Sequence, residues 1–120
     1  MGHPTIYPTG VTVYNPEKCW NGFTIFQALE VGAVLMNMNG RENKVWKGVH
    51  GFPNKIFPGG YLMTSRGSRD GRYGVQDGLD LVQIDWDGNV VWKFDRNEYI
   101  EDPGIPGRWM ARSHHDYQRE

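Results

Sequence analysis

One pattern is written twice in this chain. Val34-Leu35-Met36-Asn37-Met38 runs into Asn39-Gly40 and on to Val45-Trp46-Lys47. Later, Leu81-Val82-Gln83-Ile84-Asp85-Trp86 runs into Asp87-Gly88 and on to Asn89-Val90-Val91-Trp92-Lys93-Phe94. Gly40 and Gly88 stand 48 positions apart, and Trp46 and Trp92 stand 46 apart. A Gly-led strand precedes each hairpin: Gly22-Phe23-Thr24-Ile25-Phe26 in one case and Gly60-Tyr61-Leu62-Met63-Thr64 in the other. Apolar, β-rich runs on both sides of Asn-Gly or Asp-Gly predict tight hairpins, because these pairs accept the positive φ angles of the turn. Each unit reads as strand, connection, strand, Gly turn, and a strand ending in Trp, and each is expected to complete a four-stranded antiparallel sheet.

A small twisted sheet cannot bury both of its faces, so such units have to stack. A repeat in the forties with a periodic Gly and aromatic is the signature of β-propeller blades, with each Trp filling the space between neighbours. The expected fold is therefore all-β, a β-propeller fragment of about two blades plus the start of a third. Residues 10–48 form the first blade, 49–97 the second, and 98–120 a connection and the start of the third, all within one domain. The competing reading is a pair of unrelated hairpins in a small β-sandwich. Glycine sides with many tight turns: 16 of 120 residues is near twice the usual ~7%. Helical periodicity is broken by Gly or Pro before three turns are complete. Propellers close with about four to eight blades, so the expected partners are the remaining blades, from the same protein or from another chain. Trp86-Asp87 resembles the dipeptide of WD repeats, but it precedes the Gly turn and lacks a Gly-His partner.

The formal net charge of -1, without a basic run, argues against nucleic acid or an anionic membrane as partner. Arg66, Arg69 and Arg72 alternate with Ser, Asp and Gly and read as a solvated loop. The insertion from Gly67 to Gly78 is expected to ride on a rim, beside the entrance to the centre. Cys19 has no second cysteine for a disulfide or a zinc pair and reads as a small buried thiol. Residues 1–10 contain no apolar signal-peptide core, and no run approaches the ~20 residues of a membrane span. The chain is expected to stay in the compartment where it is made.

Four histidines remain. His3 lies in a polar terminal stretch and reads as incidental. His50 opens the second unit as His50-Gly51-Phe52-Pro53, and His115 opens the third within His114-His115-Asp116-Tyr117. Both follow a Trp-ended strand and a connection, which assigns them the same slot beside a central channel. Imidazoles meeting there could bind an anion or a metal, or act as base or nucleophile. Asp116 is placed to orient an imidazole nitrogen. The plainer alternative is that His50 bonds a loop and the other two are structural. Arg66, at the end of the inner strand, is the candidate cation, with a rim salt bridge to Asp70 or Asp77 as its alternative.

The opening Gly10-Val11-Thr12-Val13-Tyr14, the hairpin through Asn39-Gly40 to Val45-Trp46, His50, Pro58-Gly59-Gly60-Tyr61-Leu62 and His114-His115-Asp116 resemble, in that order, the start of the arylsulfate sulfotransferases. The resemblance covers nearly everything from Gly10 onward, and the His-His-Asp segment is its most specific part. It implies a six-bladed propeller that moves a sulfuryl group from an aromatic sulfate ester to a phenol without any cofactor. Transfer in that family passes through a sulfated histidine. The resemblance makes His115 and His114 catalytic-site histidines that hold the sulfuryl group and His50 a substrate-binding residue, and it gives Arg66 a sulfate to bind. The family's nucleophile lies in a later blade, beyond Glu120, and its members are often exported. Two other classes fit the blade pattern: a quinoprotein-type or metal-using propeller enzyme, and a non-catalytic propeller scaffold for protein partners.

Overall fold

The computed structural model describes residues 9–69, 77–111 and 113–119. They form nine strands: β1 (Phe23–Ala28), β2 (Gly32–Asn37), β3 (Glu42–Lys47), β4 (Lys55–Phe57), β5 (Tyr61–Thr64), β6 (Val82–Ile84), β7 (Val90–Lys93), β8 (Glu98–Asp102) and β9 (Ile105–Met110). All pairs are antiparallel. The sheets run β1-β2-β3, β4-β5-β6-β7 and β8-β9, and none closes on itself. The chain is all-β, with no helix among the described residues, and none therefore long and apolar enough to cross a membrane. Its radius of gyration is 16.6 Å, against roughly 14 Å for a compact domain this long.

The two repeats agree atom by atom at their turns. Gly40 and Gly88 have φ of 76° and 89°, a region that Gly enters without steric penalty. Asn37 Oδ1 accepts from the N–H groups of Asn39 and Arg41, both at 3.0 Å. Asp85 does the same for Asp87 (3.0 Å) and Asn89 (2.8 Å) and also accepts from Asn89 Nδ2. Each hairpin also slips register at the same place, between Leu35 and Met36 and between Gln83 and Ile84. The side-chain-closed turn and the bulge thus recur together in both hairpins.

Period-two alternation then decides what is buried. Ile25, Ala33, Leu35 and Trp46 share one face of the first sheet, and Leu62, Val82 and Ile84 share one face of the second; together with Val49 they make the core. Trp46 is only 3% exposed. Its indole N–H donates to Asp85 O at 3.1 Å, and its ring meets Trp86 edge-on at 5.4 Å.

Four expectations need correction. Only the second sheet has four strands; 11–15 run as unpaired chain, so the first sheet has three. Trp92 is half-buried where Trp46 is buried, and Cys19 is partly exposed. The Pro- and Gly-rich stretch 102–107 is no connection but the heart of a hairpin, with Gly104 (φ 78°) turning β8 into β9. Pro106 is tolerated because β9 pairs on one edge only and the register shifts beside it.

Candidate functional site

A buried polar chain ties the loop that carries His50 to both sheets. Gln27 Oε1 accepts from Gly51 N (3.1 Å) and Asn54 Nδ2 (2.9 Å), and Gln27 Nε2 donates to Val49 O (2.9 Å). Thr64 Oγ1, fully buried, donates to Asn54 Oδ1 at 2.7 Å. A Cβ on Gly51 would sit 1.9 Å from Asn54 Oδ1, so any side chain there would displace Asn54 from its hydrogen bonds. The backbone of His50 donates to Ser65 O (2.7 Å) while the residue stays exposed. His50, Phe52, Leu29, Gln27, Glu30 and Ser68 line a cavity of about 470 Å³.

His114 and His115 follow β9 and are anchored by the bridge between Ser113 and Gly78, whose N–H donates to Ser113 O at 2.7 Å. Their rings lie 4.0 Å apart, and His115 meets Phe52 edge-on at 5.3 Å. His115 has φ 64°, a left-handed conformation that costs a residue with a Cβ about 1–2 kcal/mol. The other non-glycine residue with positive φ among those described, Glu30 (φ 64°), lines the His50 cavity.

The carboxylate beside the histidines is not the expected one. Asp116 turns to Lys55 at 2.6 Å and accepts from the Tyr117 N–H; the Lys55 ammonium foremost holds its carboxyl below the ordinary range. His114 Nε2 instead lies 3.5 Å from Asp77 Oδ1. Asp77 also accepts from Arg69 Nη1 at 3.0 Å, and Arg69 Nε donates to Asp102 at 3.0 Å. Hydrogen bonds to Asp102 and then Asp77 hold the Arg69 guanidinium above its usual pKa.

The four candidates are thus brought together only in part. His50 and His115 do not share a slot, because His50 precedes β4 whereas His115 follows β9; the third unit begins earlier than expected, at Glu98. They still reach one another's surroundings through Phe52. His114 faces a separate cavity of about 770 Å³, lined also by Asp77, Phe94, Arg96, Asn97 and Glu98. Arg66 stands apart from the imidazoles. Its Nε donates to Asp80 Oδ2 at 2.8 Å, its backbone N–H to Asp80 Oδ1, and it borders a cleft with Lys44, Trp46 and Ile84 that no histidine lines. Of its expected partners, Asp77 goes to Arg69; Asp70, like His3 and Arg72, lies outside the described residues.

Sequence reasoning read Arg69 as a solvated loop residue and Asp77 as a possible partner of Arg66, and it did not foresee their joining Asp102. The first two lie in the insertion marked as a rim loop, but their link to Asp102 spans more of the chain than any local pattern reports. Among the described residues no group of three or more His, Cys, Asp or Glu is arranged to hold a metal ion. Compared with known proteins, the chain matches no family model, no curated protein and no solved structure.

Proposed function

We propose that the sheets are consecutive blades of a β-propeller, completed by further blades, and that the assembly is an arylsulfotransferase-like enzyme. The observation that carries this reading is the meeting of two distant segments. The His50–Phe52 loop and the His114–His115 pair are joined by the Phe52–His115 contact, beside a cavity walled by Leu29 and Phe52. Apolar walls suit an aryl ring. The strained backbone at His115 also favours function, since such conformers cluster at binding and active sites.

In this reading the S–O bond to the aryl oxygen breaks as an N–S bond forms to an imidazole of a further blade, and the departing phenolate takes up a proton. An acceptor phenol then loses its proton, its oxygen takes the sulfuryl group, and the imidazole is restored. His115 and His50 hold the sulfuryl oxygens as charge shifts onto them, the kind of preorganised stabilisation that dominates group transfer. Arg69 is already neutralised by Asp77 and Asp102, so the histidines carry this role within the segment.

The test is turnover of 4-nitrophenyl sulfate with phenol as acceptor by the assembled protein. His115→Ala should lower turnover about 10²-fold or more, with the fold intact because the side chain is exposed. No transfer by the unsubstituted assembly, or equal turnover by the variant, would overturn the proposal.

A further inference from the structure

The Trp-bearing faces of the first two sheets are the same face of the unit, with Trp92 two residues nearer its turn than Trp46, and they have different covers. Gln27, Ala33 and Trp46 stand opposite one another on the first sheet, as Lys55, Met63, Gln83 and Trp92 do on the second. Leu62, Val82 and Ile84 of the second sheet cover the Trp46 face. A short segment after β9 covers the Trp92 face. Tyr117 Oη donates to Met63 O (2.9 Å), and Arg119 Nη1 donates to Gln83 Oε1 (2.7 Å). The Arg119 guanidinium lies 4.4 Å from the Trp92 ring centre, and Asp116 pairs with Lys55. The cover is incomplete: a cavity of about 260 Å³ remains between Arg119 and Tyr61, Met63 and Gln83.

The β8–β9 hairpin corresponds to β4–β5. Met110 stands 47 positions after Met63, and both are buried, 2% and 1% exposed, at the same point of their hairpins, opposite Glu98 and Lys55. The opposed pair Tyr99–Trp109 then takes the place of Ile56–Leu62. Leu62 is fully buried against the Trp46 face, yet Tyr99 and Trp109 are 52% and 67% exposed, packed on each other edge-on at 5.7 Å.

We infer that the Trp92 face is the docking surface for the Tyr99–Trp109 face of the chain's own third sheet, and that Asp116–Arg119 is a strap that has to leave before docking. The chain's own hairpin is the occupant because the short link 94–97 tethers it to β7, which gives it an effective concentration in the millimolar range. Two aromatic side chains also exclude more water than one Tyr and an exposed Arg. The inference rests on the blade part of the proposed reading, and its test is independent of sulfuryl transfer.

The experiment uses the full chain with Cys19→Ser, Pro58→Cys at the rim of the cavity beside Arg119 and Glu101→Cys, treated with a short bis-maleimide and resolved by mass. With the strap in place the two thiols should link slowly. Adding Tyr117→Phe and Arg119→Ala should raise intramolecular linking several-fold. Should the double strap variant lose its fold, Arg119→Ala alone, which removes only an exposed side chain, carries the comparison. An unchanged rate with the strap weakened, or a link that joins two chains, would overturn the inference.

Discussion

Trp46 and Trp92 lie on the same face of two matching hairpins, two residues apart in register, and their surroundings differ completely. Trp46 lies under a whole neighbouring sheet, with its N–H bonded to Asp85 O and its ring against Trp86. Trp92 lies half-buried under one arginine. The unit therefore supplies a binding face, and burial depends on what is stacked upon it. A sheet of this size is stable as a member of a row, which is the physical basis of repeat architectures.

The sharpest way to break this comparison is to truncate both indoles. Trp46→Ala should cost about 3–5 kcal/mol, the range for emptying a packed aromatic site, whereas Trp92→Ala should cost roughly 1–2 kcal/mol. Urea unfolding followed by far-UV circular dichroism reads both, and equal losses would end the contrast. Next in size is Gly51→Ala. The added carbon meets Asn54 Oδ1 at 1.9 Å and should destabilise the seam between the first two sheets by about 1–3 kcal/mol. Loss of amide protection at Val49 and Thr64 by hydrogen exchange would locate the damage there.

A smaller effect separates the two turns. Asp85 has its carboxyl held below the ordinary range, first by the Asn89 side chain and then by backbone N–H groups, while its counterpart Asn37 cannot titrate. A carboxyl depressed in the folded state stabilises above its unfolded pKa, and that contribution is lost as pH falls through the folded value. Acidification below about pH 4 should therefore loosen the Asp87-Gly88 turn and spare the Asn39-Gly40 turn, with Asp85→Asn abolishing the difference. Amide temperature coefficients of Asn39 and Asn89 would show it. Asp116, depressed by Lys55, obeys the same sign, so the strap should loosen over the same acid range and hold at neutral pH.

Much of the fold was legible because its determinants are local. Asn39-Gly40 and Asp87-Gly88 announce their turns, and alternation in Val34-Leu35-Met36 and Val82-Gln83-Ile84 announces their strands. The third hairpin was hidden by its own composition. Pro106 and Gly107 read as loop, and only a one-edged strand with a register shift can hold them. That misplacement also set His50 and His115 in one slot, since the count from each Trp-ended strand passed over β8 and β9. The site was legible in residue type more than in partnership. Imidazoles were foreseen, but Phe52 as their link, Asp77 as the carboxylate near His114, and the pairing of Arg69 with Asp102 depend on contacts between segments far apart in sequence. Arg66 was misassigned for the same reason: Asp80, across the insertion, claims it.

The claim that every Trp-bearing face awaits a sheet is tested most directly by fluorine NMR of the protein labelled with 5-fluorotryptophan, read as solvent-isotope shifts with and without Arg119→Ala. At the start Trp46 should be protected, Trp92 intermediate, and Trp20 and Trp109 open to water, in keeping with their burial. Weakening the strap should bring Trp92 and Trp109 to protection together, as the third sheet docks. If Trp92 instead opens to water while Trp109 stays exposed, the second face has no sheet to receive, and the row of stacked units ends at two.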